Sequence, residues 1–285
     1  MDAEVSAVQR ASEYYRRAVE GHVYIDATFA ALFETIGRHV KRLGERPRLL
    51  ELGSHAGFVT EGLLGRWPDL EIVVSDEDQE LVAIAKQRLS GRNVRFHERP
   101  LAAVDERFDL VVSVAKHHHL VHGYLGAVRP LLHPEGVYVL ADELCPEYCA
   151  GEDLERIARA RALRIAGGYV FTSDADFEAY RARGVVPRYA ADLEDKRRRA
   201  LWRWYRFVVD EAVDRGYFDI AAGELQSARD DLVTGSEAEH KFSPAIIERE
   251  FALAGFRLLE RTLVGPLERP ERQSMFVYVF APASR

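Results

Sequence analysis

The run Leu49-Leu50-Glu51-Leu52-Gly53-Ser54-His55-Ala56-Gly57-Phe58-Val59-Thr60-Glu61-Gly62-Leu63-Leu64 constrains the chain most. Arg48 to Leu52 is a short apolar run closed by glycine, the pattern of a parallel strand buried on both faces. Gly53 and Gly57 free the backbone for a tight turn and for close approach of a ligand. Phe58, Leu63 and Leu64 then recur with helical spacing, so a helix packing back on the sheet is expected. A strand, a glycine turn and a helix N-terminus together make a site for a nucleoside-bearing ligand at the carboxyl end of a strand.

A second strand, Glu71 to Asp76, ends in an acid about 20 residues after the turn, where nucleotide-binding folds hold a ribose diol. A carboxylate suits a diol because it accepts two hydrogen bonds at once. Asp78 is the better helix cap, directly before Gln79 to Ala85, which leaves Asp76 available to a sugar. Dinucleotide enzymes use G-x-G-x-x-G; this chain has E-x-G-x-x-x-G. That pattern, with Asp76 downstream, resembles motif I of the class I S-adenosylmethionine (SAM)-dependent methyltransferases.

The resemblance extends over about Arg48 to Leu140 and Lys241 to Ala281. Phe108-Asp109-Leu110-Val111 resembles the F-D-x-V segment of that family. The stretch after it, Val114-Ala115-Lys116-His117-His118-His119-Leu120, resembles a loop that often carries an apolar pair before H-H-L. Lys116 and His117 depart from that pair. Where the family often has P-G-G, this chain has Pro134-Glu135-Gly136. Where it often has an adenine-contacting Asp, this chain has Glu98-Arg99-Pro100-Leu101, so Glu98 is the nearest substitute. The Ala254-Gly255-Phe256 step and the strands expected at Phe256 to Leu263 and Ser274 to Ala281 resemble the close of the family's sheet.

The expected fold is therefore α/β, a Rossmann-like doubly wound sheet of the class I methyltransferase type. An N-terminal helical cap (1–45) precedes a SAM-binding core (46–145). A helical insertion or lid (146–240) follows, and residues 241–285 complete the sheet. Val5, Val8, Ser12, Tyr15 and Val19 lie on one helical face, and Ile25 to Leu43 form a second helix. Tyrosines from such a segment close over SAM in the resembling small-molecule enzymes, so Tyr14, Tyr15 and Tyr24 are candidates.

The resemblance implies methyl transfer from SAM to a small molecule of biosynthetic type. Glu51, Gly53, Ser54, Gly57, Asp76, Glu77 and Glu98 are the expected cofactor contacts, with Ser113 near the methionine end. His117 or His118 is the expected base, because imidazole titrates near neutrality. Glu143, at the carboxyl end of the fifth strand, and Tyr14 are expected at the acceptor. Other uses of SAM stay open: cyclisation of its aminobutyrate arm, or a steering role for the sulfonium in a rearrangement.

Several classes are disfavoured. The 285 residues carry a net charge of −7, a poor balance for a nucleic-acid binder. The basic run Lys196 to Arg199, beside Trp202, Tyr205 and Phe207, leaves RNA as a lesser alternative. The two cysteines, Cys145 and Cys149, are too few for a disulfide framework or a radical-SAM cluster and fit a reducing cytoplasm. No apolar run is long enough to span a membrane, and Met1-Asp2-Ala3-Glu4 has no signal-peptide character. A cytoplasmic enzyme is expected, with no membrane partner and the insertion as a possible homodimer contact. Three adjacent histidines cannot all reach one metal ion; His118 and His122, four apart, share a helical face. No metal is expected.

Overall fold

The computed structural model describes residues 7–22, 24–43, 46–98, 101–119, 124–161, 164–166, 169–171, 174–186, 188–234, 241–265, 267 and 275–283. Helices α1 (Ala7–Gly21) and α2 (Ile25–Val40) precede the first strand. Then follow β1 (Arg48–Leu52), α3 (Phe58–Arg66), β2 (Glu71–Ser75), α4 (Gln79–Arg88), β3 (Val94–His97), β4 (Phe108–Val114), α5 (Tyr124–Val128) and β5 (Leu132–Glu143). The insertion holds α6 (Gly151–Arg161), a small antiparallel pair β6 (Arg164–Ala166) and β7 (Tyr169–Phe171), α7 (Asp174–Arg183), α8 (Arg188–Asp214) and α9 (Phe218–Arg229). Helix α10 (Pro244–Leu253), β8 (Phe256–Gly265) and β9 (Met275–Pro282) close the chain.

Seven strands form one sheet in the order β3-β2-β1-β4-β5-β9-β8. The first five are parallel, and β9 is antiparallel to β5 and β8. The order reverses between β1 and β4, and the crevice outside the strand ends at such a reversal is where open α/β sheets bind ligands. Both faces are covered, which is why the parallel strands read as apolar runs. Leu50, Leu52, Val111, Tyr138 and Leu140 pack with Ile246, Ile247 and Phe251 of α10. Leu49, Ile72, Leu110, Val112 and Val139 pack with Leu32 and Ile36 of α2 and Val59 and Leu63 of α3.

The helical insertion builds its own apolar cluster. Ala200, Leu201, Trp204, Tyr205, Phe207 and Val208 of α8 join Ala228 of α9, and they seat on Cys145, just past β5, with Tyr24 packed against them. Tyr24 holds φ 57, a left-handed conformation, and its ring fills the space over Gly265, where an added Cβ would lie 2.4 Å from ring carbons. The β6–β7 pair departs from the all-helical pattern read in the sequence. Strand β5 is longer than expected because Leu132 already pairs with Phe108, ahead of the Pro134 turn. Pro244 takes the first turn of α10, yet Ser243 forms no capping bond among the described residues.

Among the described residues, no helix is long and apolar enough to cross a membrane. No group of three or more His, Cys, Asp or Glu among them is arranged for a metal ion; His122 lies outside them.

Candidate cofactor and acceptor site

The crevice begins with the backbone of the glycine turn. Gly53 N–H donates to Ser75 C=O at 2.8 Å, which ties the end of β1 to the end of β2. Gly53 and Gly57 both sit at positive φ (90° and 86°), and so do His55 and Ala56 between them. Two non-glycine residues in the left-handed region are uncommon, and such strain collects at ligand clamps. The turn is braced from outside by α4: Arg88 Nε donates to Ala56 C=O at 2.9 Å, and its guanidinium lies 3.7 Å over the Phe58 ring. An added Cβ on Gly57 would meet Ala85 Cα at 3.3 Å, so Gly57 serves the approach of α4 to the turn as well as the turn itself.

Two carboxylates project from the strand ends. Glu51 is fully buried; Thr60 Oγ1 donates to its Oε2 at 2.6 Å, and Oε1 has no hydrogen-bond partner. Burial pushes the Glu51 carboxyl up to about 8, against the Thr60 bond and with help from the nearby Asp76 charge. Asp76 is buried too. Ser54 N–H donates to its Oδ2 at 2.6 Å and Asp78 N–H to its Oδ1 at 3.1 Å. Burial alone would raise this carboxyl, but the Ser54 bond, Lys116 and the Asp78 bond outweigh it and hold the group below its usual range. Asp78 itself caps α4 through Glu80 N–H and Leu81 N–H, as its sequence position implies.

On the other side of the crevice stand the ends of β4 and β5. Ser113 is fully buried, paired between Leu52 and Leu140. His118 Nδ1 lies 2.5 Å from Asp142 Oδ1, and His118 N–H donates to Oδ2 at 3.3 Å. Asp142 is buried, which by itself raises its pKa; His118 offsets this and holds the carboxyl below its ordinary value. An ionised carboxylate only accepts, so Nδ1 carries the proton.

His117 stands differently from the expectation of a base. It is fully buried, with Nδ1 bonded to the Tyr124 hydroxyl and Nε2 3.3 Å from Glu250 Oε2. The rings of Phe242 and Phe251 pack on it at 5.1 and 5.4 Å. Both ring nitrogens are engaged inside the core.

Glu143 closes the site from the lid side. His22, after α1, lies 3.2 Å from its Oε1, and Lys241 Nζ lies 3.3 Å from its Oε2. Lys241 also sits 4.1 Å over the Trp204 ring of α8, while Glu224 of α9 approaches His22 at 3.5 Å. The end of α1, the end of β5, helices α8 and α9 and the segment before α10 thus meet on one buried charge cluster. Sequence reading singled out Glu143 in it but not His22, Lys241 or Glu224.

The remaining expected contacts are outside this crevice or on its rim. Glu77 is exposed beside Asp76. Glu98 is exposed and ion-paired with Lys86, a surface partner in place of an adenine amino group. Tyr14 lies on α1, but its side chain falls outside the described residues.

A methyltransferase domain model matches residues 50–138, the span that supplies the glycine turn, Asp76 and β4. Residues 50–138 thus carry a methyltransferase domain. A malonyl-[acyl-carrier protein] O-methyltransferase of Paenibacillus sp. (strain JDR-2) is 30% identical over 136 residues, covering 43% of this chain and 48% of that one. One from Bacillus cereus is 36% identical over 70 residues, 24% of this chain and 26% of that one. The chain therefore matches about half or less of the length of these relatives. A solved SAM-dependent methyltransferase from Clostridium acetobutylicum shares the fold with a TM-score of 0.55 at 10% identity, over 98% of this chain and 100% of that one. DhpI in complex with S-adenosylhomocysteine (SAH) gives 0.51 at 17%, over 98% and 94%.

The residues fit SAM. Asp76 presents a carboxylate at the end of β2, and Glu51 holds a buried oxygen with no partner.

Proposed function

We propose that the chain transfers the methyl group of SAM to a small-molecule acceptor, with His118 as the base. The observation that carries this reading is the buried His118–Asp142 pair at the ends of β4 and β5, beside the cofactor crevice. SAM, when bound, supplies an electrophilic methyl on a sulfonium. Glu51, Gly53, Ser54, Gly57 and Asp76 hold it: Asp76 takes the ribose diol, the glycine turn lets the backbone approach, and Glu51 Oε1 accepts from a donor on the methionine arm. Ser113 flanks that arm, and Glu77 lies toward the rim.

Asp142 orients the imidazole and stabilises the imidazolium that forms when His118 Nε2 takes the acceptor's proton. Glu143 and its cation partners line the acceptor side. The lid sets water exclusion and substrate choice, because near-attack alignment of acceptor and methyl requires a closed site. The relatives carry O-methyltransferase names, which favours an oxygen nucleophile.

Small molecules are favoured over RNA by the state of the basic run. Arg197 pairs with Glu194 at 2.7 Å, Arg198 with the same Glu194 at 2.9 Å, Lys196 with Asp153 at 3.1 Å, and Arg199 with Asp195. Cations held by internal carboxylates are poor phosphate ligands.

The test is incubation with methyl-labelled SAM and a small-molecule extract. Label transfer with formation of SAH, reduced in His118→Asn, supports the reading. Methylthioadenosine as product, or no consumption of SAM, overturns it.

A further inference from the structure

Lys116 is the residue whose place the proposed reaction does not use. Ala115 ends β4 at φ 40 with its N–H bonded to Ala141 C=O at 2.8 Å, and this tight turn sets where the Lys116 side chain runs. Its Cγ and Cδ lie 2.9 and 3.1 Å from where a Cβ on Gly53 would be. The opening that glycine leaves for a ligand is filled by lysine methylenes. At the end of that stem, Nζ lies 3.5 Å from Asp76 Oδ1.

Counting acceptors on Asp76 shows the conflict. A carboxylate has about four lone-pair positions. The N–H groups of Ser54 and Asp78 take one on each oxygen. Two remain, a ribose diol needs both, and the Lys116 ammonium faces one of them. Asp76 does not need the lysine to be satisfied, since two backbone donors already hold its charge. Lys116 also bears on the turn: burial and the Lys116 charge together push His55 down to about 4, against the opposing pull of Asp76.

We propose that Lys116 is an internal competitor of the cofactor, a tethered cation that lies in the sugar and turn space and must leave Asp76 before a nucleoside can bind. This inference rests on the cofactor reading above. It makes Lys116 a determinant of cofactor affinity, and it explains why a lysine stands at a position where an apolar residue would pack on Gly53 without cost to the ligand. Displacement turns an intramolecular ion pair into a solvated ammonium, so cofactor affinity should rise with salt at low ionic strength, where the pair is strongest.

The experiment is calorimetric titration of wild type, Lys116→Met and Lys116→Gln with SAH and with methylthioadenosine. Neither probe carries a sulfonium, and methylthioadenosine also lacks the amino-acid ammonium, so its binding is free of repulsion between two cations. Removing a partly exposed ion pair should tighten binding of both probes by up to about fivefold. In an Asp76→Asn background the same Lys116→Met change should give no gain, because the competitor has lost its partner. Two substitutions of different polarity separate loss of charge from misfolding, which thermal melting checks directly. Unchanged or weaker binding in both variants overturns the competitor role and makes Lys116 neutral or a ligand contact. Failure of wild type and variants alike to bind either probe overturns the cofactor reading itself.

Discussion

Glu51→Gln reports most directly on the buried acid at the head of the glycine turn. Wild-type Glu51 is fully enclosed, and burial raises its carboxyl to about 8, whereas an unfolded-chain glutamate titrates near 4.3. The sign follows from that. Below about pH 4 both states are protonated and the group contributes nothing to pH dependence. As pH rises toward 8 the unfolded chain releases its proton while the fold retains it, so the fold loses stability across that window. Separations of this size correspond to roughly 4–5 kcal/mol, and relaxation with water entry reduces the working figure to about 2–4 kcal/mol. Glutamine keeps an acceptor for Thr60 and cannot ionise. Urea unfolding at pH 5, 6.5 and 8 should therefore show wild type losing about 2–4 kcal/mol more than Glu51→Gln. Parallel pH profiles for the two proteins would refute the argument. The same logic bears on ligand binding: a donor arriving at Oε1 favours the carboxylate, so SAH binding at pH 7 should release a proton, visible as a buffer-dependent enthalpy.

Three further outcomes follow from the site geometry. Asp76→Ala removes the proposed sugar carboxylate, and SAH affinity measured by calorimetry should fall by about 1–3 kcal/mol. Asp142→Asn loses the partner that fixes His118 Nδ1–H; once an acceptor is in hand, kcat should drop by about 10²–10⁴ with KM little changed, and a fall in KM-controlled binding alone would argue for a structural role. Lys241→Met strands Glu143 in a buried cluster, so thermal and urea unfolding should show a loss of about 3–5 kcal/mol, largely recovered in Lys241→Met/Glu143→Gln.

How much of this was legible beforehand depended on the range of the interactions. The glycine turn, the Asp78 cap, Pro244 at the start of α10 and the buried strands are local patterns, in which a few neighbouring residues carry the whole signal. The doubly wound order was what the resemblance to the class I methyltransferases implied. The charge cluster joins residues 22, 143, 224 and 241, and nothing in the spacing of any one segment announces such a meeting. The same holds for the two histidines. Adjacent in sequence and alike in chemistry, His117 and His118 part because one turns into the aromatic core and the other meets Asp142. Lys116 stood out by residue type, but its role depended on seeing its stem over Gly53 and its head at Asp76. Inside the insertion, β6 and β7 were missed because amphipathic helix periodicity dominates the neighbouring sequence.

The account turns on where the adenosyl group lies, and a crystal structure of the SAH complex measures that directly. It should show both ribose hydroxyls within hydrogen-bond distance of the Asp76 carboxylate, with the thioether passing over Gly53 toward His118. A ribose seated elsewhere, with Asp76 still closed by its present partners in the complex, would contradict it.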